Sequence, residues 1–181
     1  MKHSLYYKTG QHMIGNVDFA DRWNDLRDLI EADPSHIALD VGCAEGLISI
    51  SLSKMFKEVH AFDIEPYRIQ QAKNNAKGIK NIFFSTKNYL TYDYQSYDQI
   101  FCLGVYHKIK SISRQRSLDT MFKKCNSMLY LRIPVIDKNV SKTVGVPAAE
   151  VLKIAVDNDF ELVHRTKQVH LHGTIFKFKR R

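Results

Sequence analysis

A glycine-rich stretch that carries two acids is the part of this sequence best suited to ligand chemistry. It reads IALDVGCAEGLISI over residues 37–50, with Asp40 before Gly42 and a second acid, Glu45, between Gly42 and Gly46. A glycine turn that leads into a helix ordinarily binds phosphate. Two carboxylates would repel a phosphate there, and the dinucleotide fingerprint G-x-G-x-x-G is incomplete. The pattern therefore disfavours a dinucleotide and favours a nucleoside that carries positive charge.

S-adenosylmethionine is such a nucleoside, because an ammonium and a sulfonium stand in place of phosphates. The letters LDVGCAEG resemble the glycine motif of the class I methyltransferases that use it, and the resemblance extends over residues 36 to about 179. It implies that Asp40, Gly42, Cys43 and Gly46 line the methionine end of the cofactor, with Asp40 reaching the ammonium group. Glycine in this turn lets the backbone approach a ligand closely.

Three later segments extend the resemblance along the cofactor. HAFDIEP implies that Asp63 accepts hydrogen bonds from the ribose hydroxyls, the role that an acid about 20 residues after a glycine turn has in dinucleotide sites. In FFSTKNYL, Asn88 stands where the family often has an aspartate beside the adenine amino group. This is a departure, but an amide both accepts and donates, so we expect binding to survive. The residues that these segments and FCLG place at the cofactor are Asp63, Ile64, Asn88, Tyr89, Leu103 and Gly104.

Some of these residues also have purely structural interpretations. Asp63 can cap the helix that begins at Pro66, and Asn88 can start a turn. The side chain of Cys43 can simply fill space.

The segment after YDQIFCLG, the fourth predicted strand at residues 97–104, bears on what is methylated. It lacks the [ND]-P-P-[YFW] signature of methyltransferases that act on exocyclic base nitrogens, the Pro-Cys pair of the cytosine-C5 enzymes and the aspartate of the ribose 2′-O-methyltransferases. In their place stand Tyr106 and His107, which we take as the catalytic candidates. A histidine there can take a proton from a hydroxyl near neutral pH. It can equally orient a substrate or cap the following helix.

From Gly104 to Arg116 the chain carries four basic residues and no acid, and two more lie after LYLRIP, the fifth predicted strand at residues 129–134. The net charge of the chain is +8, and the residues concerned are Lys108, Lys110, Arg114, Arg116, Lys138 and Lys142. Positive potential around a site attracts an anion such as a phosphorylated metabolite, a nucleotide sugar or RNA. We expect Lys108 and Arg114 to contact the substrate. A solvated basic face is the alternative.

Two further groups of residues lie toward the ends of the chain. Tyr7 and His12 belong to an N-terminal extension, residues 1–17, which in this family often folds over the cofactor and would then contact substrate. Flexible termini are the alternative. His170 and His172 would face the same way on a strand, but no third ligand accompanies them, so we expect no metal.

Alternating strands and helices must position all of these residues. Apolar runs predict strands at 36–42, 58–64, 81–86, 97–104, 129–134, 160–166 and 174–180. Helical spacing predicts helices at 18–32, 45–56, 66–78, 113–128 and 147–159. Strands that alternate with helices predict an α/β doubly wound sheet with helices on both faces. The link before the seventh strand is too short for a parallel crossover, so we expect that strand alone to run antiparallel.

Length and composition predict one globular domain, residues 1–181, with a Rossmann-like core at 36–179. The chain has 181 residues, of which 44% are hydrophobic and 25% are charged. Three cysteines are too few for a disulfide framework, and no signal peptide or membrane span is evident, so we place the chain in the cytoplasm and away from membranes. The sequence carries no signal about an oligomer.

The hypothesis is methyl transfer from S-adenosylmethionine to an oxygen or nitrogen of a small or sugar-like, anionic acceptor. Methylation of tRNA or rRNA is the second hypothesis, and the basic residues favour it. A catalytically silent methyltransferase fold that binds a partner is the third.

Overall fold

Seven strands form one sheet in the part of the chain that the structure describes. The structure is a computed structural model and describes residues 19–135, 145–167 and 173–181. The strands are β1 (Asp33–Val41), β2 (Phe56–Asp63), β3 (Ile82–Thr86), β4 (Tyr97–Leu103), β5 (Cys125–Ile133), β6 (Phe160–Arg165) and β7 (Thr174–Arg180). Their order is β3-β2-β1-β4-β5-β7-β6. The strands from β1 to β5 pair in parallel, whereas β7 pairs antiparallel with β5 and with β6.

Helices connect these strands. They are α1 (Phe19–Arg27), α2 (Leu47–Leu52), α3 (Pro66–Asn75), α4 (Ser111–Lys124) and α5 (Ala148–Asp157), and a 3₁₀ turn, Tyr106–Lys108, joins β4 to α4. Pro66 opens α3 as the sequence predicts, because the first turn of a helix leaves its N–H groups without partners in any case.

Apolar side chains pack on both faces of the sheet. Phe122 of α4 and Val151 of α5 belong to the core of one face. Leu26 of α1 and Leu52 of α2 belong to the core of the other. Parallel strands need such cover on both faces, because βαβ connections place helices there.

The predicted fold class is confirmed, including the single antiparallel strand. The chain runs from β1 through β2 to β3 toward one edge, and then from β4 to β5 toward the other. The strand order therefore reverses between β1 and β4. In doubly wound sheets the crevice outside the carboxyl ends of the strands at this point is where ligands bind.

Two predicted helices are too long because their apolar pattern continues into a strand. Helix α4 ends at Lys124, although the spacing predicts helix through residue 128. Cys125 satisfies that spacing, but it is also the first residue of β5 and pairs with Tyr97 of β4. Helix α2 ends at Leu52 rather than at residue 56, since Phe56 opens β2. In both places a buried residue fits either pattern, and pairing with the neighbouring strand decides.

The first helix and the first strand also differ from their predicted bounds. Helix α1 ends at Arg27 rather than at residue 32, and β1 begins at Asp33 rather than at residue 36. The amides of Leu29 and Ile30 bond to carbonyls three residues back, so the helix closes in a tighter turn. The expected cap Asp18 lies outside the described residues.

Candidate functional site

The loop after β1 is a tight turn held by backbone hydrogen bonds. The amides of Gly42 and Cys43 both donate to the carbonyl oxygen of Phe62, at 2.8 and 3.0 Å. Gly42 has a φ of +73°, and a Cβ atom on it would lie 2.2 Å from Cγ2 of Val105. Glycine therefore lets the loop after β1 pack directly against the loop after β4.

The second glycine of the motif permits a similarly close approach. Gly46 precedes α2 with a φ of +77°. A Cβ atom on it would lie 2.9 Å from Cβ of Ala72 in α3 and 2.9 Å from Cζ of Phe84 in β3. The start of α2 is thus packed against the next helix and strand.

Two buried acids lie at the carboxyl ends of adjacent strands. Asp40 in β1 is 2% exposed, and its Oδ2 accepts a 2.6 Å hydrogen bond from the hydroxyl of Ser49. Asp63 ends β2 and is 8% exposed. Its Oδ2 accepts from the amide of Ala44 and its Oδ1 from the amide of Glu65, each at 3.0 Å. The carboxylate of Asp63 thus ties the glycine turn to the start of α3.

The surroundings of Asp40 make its charge costly. Burial raises the pKa of Asp40 to about 7, the hydrogen bond from Ser49 acts in the opposite direction, and the charge of Asp63 adds to the rise. A cation bound beside Asp40 would stabilise the ionised form, since an opposite charge nearby favours ionisation. The site is therefore built to gain from a positively charged ligand.

The side chain of Cys43 is packed against apolar neighbours. Its thiol is buried in a small cluster with Ala61 and Ile69. Burial, followed by the charge of Asp40, raises the pKa of the thiol far above its usual value. The structural interpretation of this side chain is thereby favoured, and the backbone of Cys43 is the part that remains for a ligand.

The residues expected around adenine lie beyond the ends of β2 and β3. The side chain of Ile64 is 55% exposed, which leaves an apolar surface for a ring. Oδ1 of Asn88 accepts from the amide of Leu90 at 2.9 Å, so this residue does start a turn. An amide oxygen has two lone pairs, and the turn uses one of them. Tyr89 is half-buried, and burial raises its pKa to about 12.

The end of β4 borders open space. Leu103 is half-buried, and Gly104 follows with a φ of +85°. A Cβ atom on Gly104 would meet no atom within 4 Å, in contrast to one on Gly42. The amide of Gly104 donates to the carbonyl of Arg132 at the end of β5. A ligand can therefore approach the backbone here.

Tyr106 and Arg114 are engaged with a residue of α5. Tyr106 is 0% exposed, and its hydroxyl donates to Oε1 of Glu150 at 2.7 Å. Arg114 donates to Oε1 through Nε and to Oε2 through Nη2, both at 2.8 Å. These contacts lie inside the protein, so both side chains have partners other than the catalytic and substrate groups that the sequence leads us to expect.

His107 is neutral at physiological pH in this structure. Burial, and then the charge of Lys108, lowers the pKa of His107 to about 4. Its Nδ1 is buried without a hydrogen-bond partner in the part of the chain that the structure describes. The expectation of a general base at this position stays a prediction, and burial makes the ring a weaker base because it disfavours the imidazolium. A neutral imidazole has one nitrogen that donates and one that accepts, so the ring can orient a polar group without changing its charge.

The other basic residues of this segment lie at the surface. Lys108, Lys110 and Arg116 are exposed. The remaining candidates lie outside the described residues, namely Tyr7, His12, Lys138, Lys142, His170 and His172.

Two residues of the site were missed by sequence reasoning. Ser49 lies nine residues after Asp40 and is a buried polar residue in the apolar helix LISISL, which is a signal that the sequence does contain. Glu150 gives no such signal, because an acid in the first turn of a helix is normally explained by the helix dipole. Its two partners lie 36 and 44 residues away in the chain.

Comparison with known proteins identifies the family. Residues 38–129, about half of the chain, match the sequence profile of a family described as methyltransferase domain. The chain belongs to this methyltransferase family. No curated protein matches its sequence significantly.

Solved structures share the fold of this methyltransferase at low sequence identity. N-methyltransferase NodS from Bradyrhizobium japonicum WM9, in complex with S-adenosylhomocysteine, has a TM-score of 0.76 and 19% identity, covering 89% of this chain and 86% of that one. Magnesium protoporphyrin IX methyltransferase from Synechocystis PCC 6803, with bound S-adenosylmethionine, has a TM-score of 0.69 and 20% identity, and the match covers 82% of this chain and 71% of that one. The [4+2]-cyclase SpnF has a TM-score of 0.75 and 13% identity, and the match covers 89% of this chain and 80% of that one.

The family and the fold make this protein a class I methyltransferase, and S-adenosylmethionine is its cofactor. The donor set fits that molecule. Asp40 offers a buried acceptor to a cation, Asp63 has lone pairs left for hydroxyl groups, and Gly104 borders open space. Among the described residues, no helix is both long enough and apolar enough to cross a bilayer.

Proposed function

We propose that this methyltransferase methylates an oxygen or a nitrogen of a small or sugar-like, anionic acceptor. The observation that carries the proposal is the pair of buried acids, Asp40 and Asp63, at the carboxyl ends of β1 and β2 where the strand order reverses. Carboxylates suit a cationic nucleoside, and this crevice is where doubly wound sheets bind ligands.

The proposed roles follow the two ends of the cofactor. Asp40 accepts hydrogen bonds from the ammonium group, with the backbone of Gly42, Cys43 and Gly46 around the methionine end. Asp63 accepts hydrogen bonds from the ribose hydroxyls. The adenine end is assigned to Ile64, Asn88 and Tyr89, and the residues beside the methyl group are Leu103 and Gly104.

Bound S-adenosylmethionine supplies a methyl group that is activated by a sulfonium. Because positioning contributes much of the rate of such a transfer, the protein needs a base only if the acceptor atom carries a proton. Neutral His107, whose ring is half-buried, forms a hydrogen bond with the acceptor and thereby orients the attacking atom. With a pKa of about 4 it is a weak base, so orientation is its main role.

The exposed lysines of the segment after β4 support an anionic acceptor. Lys108 and Lys110 lie beside the 3₁₀ turn that carries His107. Solved structures of this fold include a magnesium protoporphyrin IX methyltransferase and an O-methyltransferase in complex with apigenin, which favours a small organic acceptor over RNA.

A labelled methyl transfer assay tests the proposal. The purified protein is incubated with S-adenosylmethionine carrying a tritiated methyl group and with cell extract separated into metabolite, glycan, RNA and protein fractions. We expect label in the metabolite or glycan fraction and none with the Asp63→Ala variant. Label in the RNA fraction would support the RNA hypothesis instead. No transfer to any fraction by protein that binds S-adenosylhomocysteine would contradict the proposed activity.

A further inference from the structure

Glu150 is a largely buried acid to which the proposed roles give no function. Its carboxylate accepts one hydrogen bond from Tyr106 and two from Arg114. The side chains of Arg114 and Glu150 are each 13% exposed. A bidentate arginine–carboxylate pair is stronger and more directional than a pair of neutral groups. One carboxylate thus joins α5, α4 and the segment after β4.

The three side chains form a single unit at neutral pH. Burial alone would raise the pKa of Glu150, but hydrogen bonds from Arg114, Tyr106 and Gln115 hold it below its usual value. The hydrogen bond to Glu150 raises the pKa of Arg114. The guanidinium carbon of Arg114 also lies 5.7 Å from the ring centroid of Tyr106. The guanidinium of Arg114 is therefore held by Glu150 in a largely buried position.

The segment that Glu150 holds borders the proposed cofactor crevice. Tyr106 follows Gly104, which faces open space, and Val105, against which Gly42 packs. His107 comes next in the same 3₁₀ turn. The ring of Tyr106 is buried and its hydroxyl is tied to Glu150, so the direction in which the turn presents His107 depends on this anchor.

We propose that Glu150 is a positioning residue for methyl transfer, which binds Tyr106 and Arg114 and thereby holds residues 104–108 where the acceptor meets the cofactor. In this arrangement Arg114 fixes the carboxylate of Glu150 through two hydrogen bonds and does not contact the acceptor. The inference rests on the proposed function for the role of His107. A misplacement of about 1 Å in such a site costs on the order of 100-fold in rate.

A role in overall stability is the alternative that the test must separate. If Glu150 only stabilised the fold, its loss would increase hydrogen exchange throughout the molecule and would lower activity only as far as the folded fraction fell. A positioning role predicts a local change instead, with lower turnover by protein that remains folded.

The test compares Glu150→Gln, Tyr106→Phe and their double variant with a matched control. Gln keeps the shape of the side chain but removes its charge, and Phe removes one hydroxyl. Asp157→Asn is the control, since Asp157 lies on the same helix and forms an exposed pair with Lys153. Three properties are measured, namely the dissociation constant for S-adenosylhomocysteine, turnover at saturating S-adenosylmethionine with the extract fraction that wild type labels, and hydrogen exchange of peptides covering residues 104–110.

We expect Glu150→Gln and Tyr106→Phe to lower kcat by about tenfold or more while the dissociation constant changes less than about threefold. Hydrogen exchange at residues 104–110 should rise in both variants. The fold-decrease in kcat of the double variant should be smaller than the product of the two single fold-decreases, because the two groups act together. Turnover and local exchange equal to those of Asp157→Asn would overturn the proposal, as would a uniform rise in exchange. If wild type labels no fraction, the proposed function fails, and the exchange comparison still decides whether Glu150 holds the segment.

Discussion

Asp40 shows how a single residue can be costly for folding and useful for binding. Burial raises its pKa to about 7, whereas the unfolded chain has the ordinary value of 3.8. Between these two values the folded state binds more protons than the unfolded state, so this residue's contribution to stability becomes less favourable as the pH rises from 4 to 7. Above pH 7 the carboxylate is ionised in both states, and its burial is a net cost.

Replacing Asp40 by asparagine should therefore stabilise the protein without ligand. At pH 8 we expect the free energy of unfolding to rise by about 1–3 kcal/mol, because one pKa unit corresponds to about 1.4 kcal/mol. The amide oxygen can still accept from Ser49. The affinity for S-adenosylhomocysteine should fall at least tenfold, and the wild-type affinity should decrease as the pH is lowered through 7. Urea denaturation and calorimetry at several pH values measure both effects, and a destabilised Asn variant would contradict the argument.

Protonation of His107 should not affect the rate of the reaction near neutral pH. Because its folded pKa is about 4, the ring is neutral at every pH above about 5, and the rate at saturating cofactor should show no inflection near pH 6.5. We expect His107→Gln to lower kcat while leaving the shape of the pH profile unchanged. An inflection near pH 6.5 in wild type that disappears in the variant would instead show a general base that titrates in the ordinary range.

At the scale of elements, two glycines with the same backbone conformation should respond differently to alanine. Gly42→Ala places a methyl group against Val105, and we expect it to cost about 2–5 kcal/mol from the left-handed backbone and the clash together. Gly104→Ala meets no neighbouring atom, so we expect only about 1–2 kcal/mol. The methyl group on residue 104 should instead weaken binding of S-adenosylhomocysteine.

Denaturation of the two variants and of Gly42→Ala combined with Val105→Ala separates strain from contact. Shortening Val105 should recover part of the loss caused by Gly42→Ala, since only the steric part depends on that side chain. If Gly104→Ala proved as destabilising as Gly42→Ala, the open space beside β4 would have to be filled by protein.

At the scale of the whole molecule, the order of the strands decides where a ligand meets these residues. The loops after β1, β2 and β4 converge where the strand order reverses. This fold does not by itself decide the reaction, since SpnF shares it and is a [4+2]-cyclase. The chemistry must therefore be tested through ligands.

Ligand binding should stabilise the whole molecule selectively. At a concentration 100 times its dissociation constant, S-adenosylhomocysteine should raise the free energy of unfolding by about 2.7 kcal/mol. For a chain of this length that corresponds to a rise in Tm of about 5–10 °C. NAD should give no rise, because its pyrophosphate would face Asp40. Asp63→Ala should abolish the shift, whereas Glu58→Ala, on the same strand, should retain it. Thermal denaturation followed by fluorescence measures this, and stabilisation by NAD alone would refute the cofactor roles.

The sequence by itself determined the fold class, the strand that runs antiparallel, the position of the glycine turn and the positions of the acids at the ends of β1 and β2. These features follow from apolar runs that alternate with helical spacing and from the residues of the turns, which are patterns within a few residues. The sequence wrongly predicted that α4 continues to residue 128, because Cys125 satisfies both a helical and a strand pattern. Only the pairing of Cys125 with Tyr97 distinguishes the two.

The tertiary structure decided the properties that depend on distant parts of the chain. Burial sets the pKa of His107 to about 4, which no local pattern contains. The bonds from Tyr106 and Arg114 to Glu150 span 44 and 36 residues, so the engagement of Arg114 inside the protein becomes visible only when α4 and α5 pack side by side. Short-range preferences specify the elements, whereas burial and long-range contacts specify the charges and partners of the site.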